Sequence, residues 1–216
     1  MKKLFMVLAS MHLCYASSFA QGLQLSEIDL VGGKTFTSFL YKDSEGSKDK
    51  TLDYTMNNSF GINFNLSAQK HVLRPELIFR QGGSKSDYAG TQLNWKLNYL
   101  DLNLGYLYRI IQTEKFEVAP GLAIGAGYLL NGDQYIGNVR YNVVDNKSLK
   151  RFDFGIQGIT QFKMNITESF SLGLEYRFGM GITQIENDIN AQKSRNIYHS
   201  ALICLGIRFN KYYKRL

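Results

Sequence analysis

Residues 169–182 read SFSLGLEYRFGMGI. Phe170, Leu172, Leu174, Tyr176, Phe178, Met180 and Ile182 form an unbroken apolar row, and Ser171, Gly173, Glu175, Arg177, Gly179 and Gly181 lie between them. Successive side chains of a strand point to opposite faces, so a strict period of two specifies a strand with two unlike faces. Runs of the same kind recur at about 27–41, 54–68, 72–83, 93–111, 116–131, 151–164, 168–183 and 197–210, giving eight predicted strands. The first is the least regular, because Lys34 and Phe36 fall on one face. There are no heptads and no long stretch with helical spacing. Only 2 prolines, against 14 Tyr and 14 Phe, agree with β structure.

The connections carry the next constraint. SAQKHV, QTEK and NITE are short, and join strands 2–3, 4–5 and 6–7. Residues 42–53, 84–92, 132–150 and 184–196 are longer and polar, and join the remaining pairs. Short turns thus alternate with long loops. In an up-and-down barrel this puts all short turns at one end and all long loops at the other, the asymmetry of outer-membrane barrels. Most runs also reach the ~9–11 residues a tilted strand needs to cross a bilayer.

Two orientations compete. In a soluble exported barrel that carries an apolar ligand, the greasy row points inward. In a membrane barrel it meets lipid. The polar rows favour the second. Glu117, Ala119, Gly121, Ala123, Gly125 and Gly127 repeat the pattern of 171–181. A water-facing sheet has no steric need for so many glycines, each of which weakens a strand. A narrow interior does need small residues beside long charged ones. The opposite rows, Val118 to Leu130 and Leu100 to Ile110, suit acyl chains. Aromatics fall near the proposed ends: Tyr106, Tyr108, Phe116, Phe162, Phe170 and Phe209 toward the short turns, and Phe79, Tyr128 and Phe178 toward the loops. In hydrocarbon every backbone polar group must be paired, so the sheet must close. A one-residue slip would swap the rows, and each Arg or Lys moved to the lipid midplane would cost about 2–4 kcal/mol. The expected fold is an all-β, eight-stranded antiparallel up-and-down transmembrane β-barrel.

The first twenty residues differ. Lys2 and Lys3 precede an apolar stretch that closes on Ser18-Phe19-Ala20, the plan of a secretory signal peptide. Cleavage is expected between Ala20 and Gln21, leaving residues 21–216 as the barrel domain. Lipoprotein processing at Cys14 is disfavoured by the bulky Leu13 before it. Beyond the signal, Cys204 is the sole cysteine, so no internal disulfide can form. The net charge of +7 is spread along the strands, apart from Lys211, Lys214 and Arg215, which suits anionic lipid rather than nucleic acid.

On this orientation the lumen holds the acids Glu76, Asp101, Glu117, Asp153 and Glu175 and the bases Arg74, Arg80, Arg109, Lys163, Arg177 and Arg208. Their near balance predicts a paired structural network, since buried charges persist only when partnered. No open pore is expected. A catalytic set is missing. His199 and Ser200 are adjacent and so face opposite sides of a strand, while His71 lies in a short turn. There is no zinc spacing and no phosphate-binding glycine loop, so no metal or cofactor is expected. Asp133, Asp145, Glu186 and Asp188 read as solvated loop charges rather than calcium ligands.

Several stretches, RPELIFRQGG (74–83), NYLDLNLGYLYRI (98–110), EVAPGLAIGAGYLL (117–130), RFDFGIQGI (151–159), LGLEYRFGMGI (172–182) and ALICLGIRF (201–209), resemble the PorT-like outer-membrane β-barrel family of Bacteroidetes. Matching positions include Pro75-Glu76, Tyr99 to Asp101, Gly121, Asp153 with Gly155, and Glu175 with Tyr176; Asn103 stands where the family often has proline. The resemblance implies an eight-stranded, channel-less barrel in the outer membrane and no single activity, although the family's named member is linked to secretion and gliding machinery. The expected role is therefore a non-porin structural or interaction protein. Its loops 132–150 and 184–196, with Arg140, Tyr135 and Tyr141 in the first, would meet protein partners outside the membrane.

Overall fold

A computed structural model describes residues 22–42, 51–88, 90–187 and 193–209. The expected signal segment 1–20 and its expected cleavage point between Ala20 and Gln21 lie outside the described residues, as do Asp188, Lys211, Lys214 and Arg215. The strands are β1 (Gln24–Lys42), β2 (Thr55–Ala68), β3 (His71–Gly82), β4 (Lys85–Tyr88), β5 (Thr91–Tyr108), β6 (Ile111–Gln112), β7 (Phe116–Ile136), β8 (Val139–Asn142), β9 (Phe152–Asn165), β10 (Phe170–Gly181) and β11 (Lys193–Arg208).

The eight long strands close into a ring in the order β5-β3-β2-β1-β11-β10-β9-β7, with β7 pairing back to β5. Every neighbouring pair is antiparallel. The first and last strands meet directly, from Glu27 opposite Arg208 to Lys42 opposite Lys193. Among the described residues no long strand is left with an open edge, as hydrocarbon requires. β7 has 21 residues, β1 has 19 and β5 has 18, well beyond the ~9–11 needed to cross a bilayer. The excess stands at the loop end, where β4 and β8 extend it.

The apolar row meets the surroundings. Leu172, Tyr176 and Phe178 are 40%, 49% and 39% exposed, whereas Glu175 and Arg177 between them are 2% and 3% exposed. The soluble alternative, with the greasy row inside, is overturned by this arrangement. Inward glycines make the room that the pattern implied. A Cβ at Gly127 would lie 2.5 Å from Asp101 Oδ1, and one at Gly179 would collide with the Tyr198 ring.

Three details depart from the sequence reading. Residues 132–136 continue β7 and 139–142 pair back on it as β8, so 132–150 begins as a hairpin rather than a loop. β11 starts at Lys193, which shortens the loop expected at 184–196, and β4 occupies part of the loop expected at 84–92. The lumen is also less polar than the alternation suggests. Phe39, Leu97, Tyr99 and Leu129 form an apolar cluster at its loop end, joined by the loop residues Val143, Leu149 and Ile185. Periodicity within strands cannot reveal residues that fold back from loops.

Candidate functional site

The interior charges stack in levels along the barrel. β3 carries Arg74 and Glu76, and β10 carries Glu175 and Arg177, each pair two residues apart and therefore on one face. The two strands lie four places apart in an antiparallel ring, so they run the same way and their opposite charge orders match across the lumen. Arg74 Nε meets Glu76 Oε1 at 2.6 Å and Arg74 Nη1 meets Glu175 Oε2 at 2.7 Å. Arg177 Nη1 meets Glu76 Oε2 at 2.6 Å, and Arg177 Nε pairs with Glu175 Oε1. The result is a closed square of two guanidinium and two carboxylate groups. Asn103 Nδ2 donates to Glu76 (3.3 Å), Gln161 Nε2 donates to Glu175 (3.3 Å) and Gln157 Nε2 donates to Asn103 Oδ1 (2.9 Å).

Toward the short turns, Lys163 Nζ reaches Glu27 Oε2 (2.7 Å) and Asp29 Oδ1 (2.9 Å). Asn65 donates to Asp29 and Ser171 to Glu27. Arg109 Nε pairs with Glu117 Oε2 at 2.8 Å, and its Nη atoms donate to the Gln69 carbonyl and Ser67 Oγ. Arg208 lies on the inward row at this mouth, half-buried, with Glu27 opposite it in register. Toward the loops, Arg80 Nε meets Asp101 Oδ2 at 2.6 Å, and its guanidinium lies 4.5 Å and 4.6 Å from the ring centres of Tyr99 and Tyr198. Asp153 is held by hydrogen bonds, from Asn196 Nδ2 (2.7 Å) and Thr183 Oγ1 (3.3 Å).

Glu27 and Asp29 are the members that periodicity missed. β1 shifts register between Leu25 and Glu27, and Lys34 shares an outward face with Phe36, so no clean row assigns the strand. Lys34 Nζ donates to Asn58 Oδ1 at 2.8 Å, a local answer to an outward charge. A few buried polar atoms of the described residues have no hydrogen-bond partner, among them Gln112 Oε1 and Asn165 Oδ1. Asn63 has neither amide atom partnered, and Arg74 keeps one unpartnered nitrogen, Nη2.

Above the Arg80 level the Phe39–Leu97–Leu129 cluster, with Val143, Leu149 and Ile185, roofs the lumen, and Trp95 packs against it. On the hairpin, Tyr135 is opposite Arg140 while Tyr141 is opposite Gln134, so Arg140 and Tyr141 face opposite sides and form no single patch. Arg140 Nε meets Asp133 Oδ1 at 2.9 Å, and Lys96 Nζ lies 5.1 Å from the Tyr135 ring centre. His199 faces outward against Tyr176, whose hydroxyl is 2.7 Å from Nδ1, while Ser200 faces inward to Thr35. His71 Nδ1 lies 2.6 Å from the Tyr106 hydroxyl, in β3 rather than in the turn. Among the described residues, no group of three His, Cys, Asp or Glu converges as metal ligands would.

A closed antiparallel ring with an apolar exterior and an ion-filled interior defines a transmembrane β-barrel. The family model for the outer membrane protein beta-barrel domain matches residues 6–198. The chain belongs to that family, and its place is the outer membrane. Comparison with curated proteins finds no match. Among solved structures, Neisserial surface protein A is 13% identical with a TM-score of 0.49, over 84% of this chain and 97% of its own. OprG of Pseudomonas aeruginosa is 15% identical with a TM-score of 0.49, over 88% and 99%. The outer membrane protease OmpT of Escherichia coli is 8% identical with a TM-score of 0.42, over 87% and 98%. Likeness at these identities concerns the fold alone, and one fold hosts many activities.

Proposed function

We propose that this chain is a non-porin outer-membrane barrel with a structural or interaction role, exported by residues 1–20 and cleaved between Ala20 and Gln21. The observation that carries this reading is the cross-lumen square of Arg74, Glu76, Glu175 and Arg177 beneath an apolar roof. A path for ions would have to break both. Removing one partner of a buried pair costs about 3–5 kcal/mol, so the interior serves stability and closure rather than transport or proton relay. The surface left for partners is the loop end, from the β7–β8 hairpin to the segment after β10. A secretion-associated role is the finer reading, and its support is the resemblance of the strand segments to PorT-like barrels.

Planar-bilayer recording on the purified protein tests closure. No large, stable conductance is expected. Steady openings in the wild-type chain would overturn the non-porin reading.

A further inference from the structure

A cavity of about 690 Å³ opens at the outer rim, where the loop before β9 meets the segment after β10. Lys147, Lys150 and Arg151 line it, together with Phe152 and Phe154 of β9. No carboxylate is among the described residues that line it. Of the described acids nearby, Asp153 faces the lumen and Asp145 is exposed in the turn before. None of the three cations forms a salt bridge among the described residues.

The Arg151 guanidinium is anchored, and so is the backbone that carries Lys147 and Lys150. Arg151 Nη1 donates to the Leu129 carbonyl at 3.2 Å, and its guanidinium lies 5.7 Å from the Tyr128 ring centre. Asn187 Nδ2 donates to the Lys147 carbonyl at 2.7 Å, and Lys150 N donates to the Ile185 carbonyl at 2.6 Å. Leu149, between the lysines, is anchored in the roof. Lys147 has φ of 57°, a conformation glycine would adopt without strain.

The floor gives the ligand's other half. Phe152 and Phe154 are 55% and 47% exposed on the lipid-facing row, and Ile156 continues that row toward the membrane interior. Three basic residues therefore line the cavity immediately beyond an aromatic edge of the lipid-facing row, and such an edge in a membrane barrel marks the headgroup level. We propose that this cavity binds the phosphate headgroup of an outer-leaflet lipid, with Lys147, Lys150 and Arg151 on the phosphate and Phe152 and Phe154 along the acyl chains. The site is independent of whether the lumen conducts.

The test uses the full chain, refolded in detergent micelles and checked for folding by heat-modifiable gel mobility. Native mass spectrometry then measures retention of bis-phosphorylated lipid A, the same lipid stripped of phosphate, and inorganic phosphate. The wild type should retain the phosphorylated lipid selectively. The triple variant Lys147→Gln, Lys150→Gln, Arg151→Gln should lose roughly a hundredfold in affinity, at about one headgroup contact per cation. A control triple at Lys34, Lys85 and Lys96 should lose little. Equal retention of both lipids, equal loss in both triples, or inorganic phosphate binding as well as the lipid would overturn the proposal. If the triple does not fold, Lys147→Gly keeps the test open, because glycine suits that backbone. It should weaken retention roughly fivefold, and unchanged retention would count against the site.

Discussion

The two ends of the lumen are filled by different physics. From the short-turn mouth to the Arg80 level, strand residues of opposite charge neutralise one another across the barrel, with small apolar clusters around Leu107 and Cys204 packed between them. At the loop end, apolar residues from strands and loops pack into a roof. The ionic levels are intolerant of single changes, because each loss strands a charge away from water. The roof responds to loss of volume, and only locally. Ion pairs hold the strands in register across the lumen, while the roof ties the loops down to the finished barrel.

The largest expected effect breaks the ionic half. Glu76→Gln removes a carboxylate shared by Arg74 and Arg177 and should cost about 3–5 kcal/mol in urea unfolding of the refolded barrel. Pairing it with Arg177→Met should recover part of that loss, because fewer charges are then stranded; a double variant no better than the single would contradict the shared square. A smaller effect belongs to the roof. Leu149→Ala should cost about 2–3 kcal/mol. Its signature should be a shift in the fluorescence of Trp95, the chain's single tryptophan, with gel mobility of the folded barrel unchanged. Loss of the folded band would show that the roof supports the barrel rather than resting on it. The smallest effect sharpens the contrast. Asn63→Leu removes a buried amide with no partner and should leave stability unchanged or raise it by up to about 1 kcal/mol. A loss as large as that of Glu76→Gln would mean that Asn63 belongs to the network.

How much was legible follows the same division. Alternation placed both faces of β10, and it put Arg74, Glu76, Glu175 and Arg177 on inward rows, because a residue two places along a strand returns to the same side. It did not place Glu27 and Asp29, since β1 shifts register at Leu25 and carries Lys34 outward. Alternation puts Asp153 in the lumen, where hydrogen bonds rather than an ion pair hold it, a distinction that composition does not carry. The roof was invisible. Val143, Leu149 and Ile185 lie in segments without a period, and only the folded chain brings them over Leu97 and Leu129.

The seam between β1 and β11 has a consequence for closure. The ring is sealed by the two strands most distant in sequence, so a chain lacking its last strand presents two raw edges, one on β1 and one on β10. Neither edge can be left bare in oil. Closure therefore depends on β11: without it the backbone polar groups along both margins would have no partner within the protein.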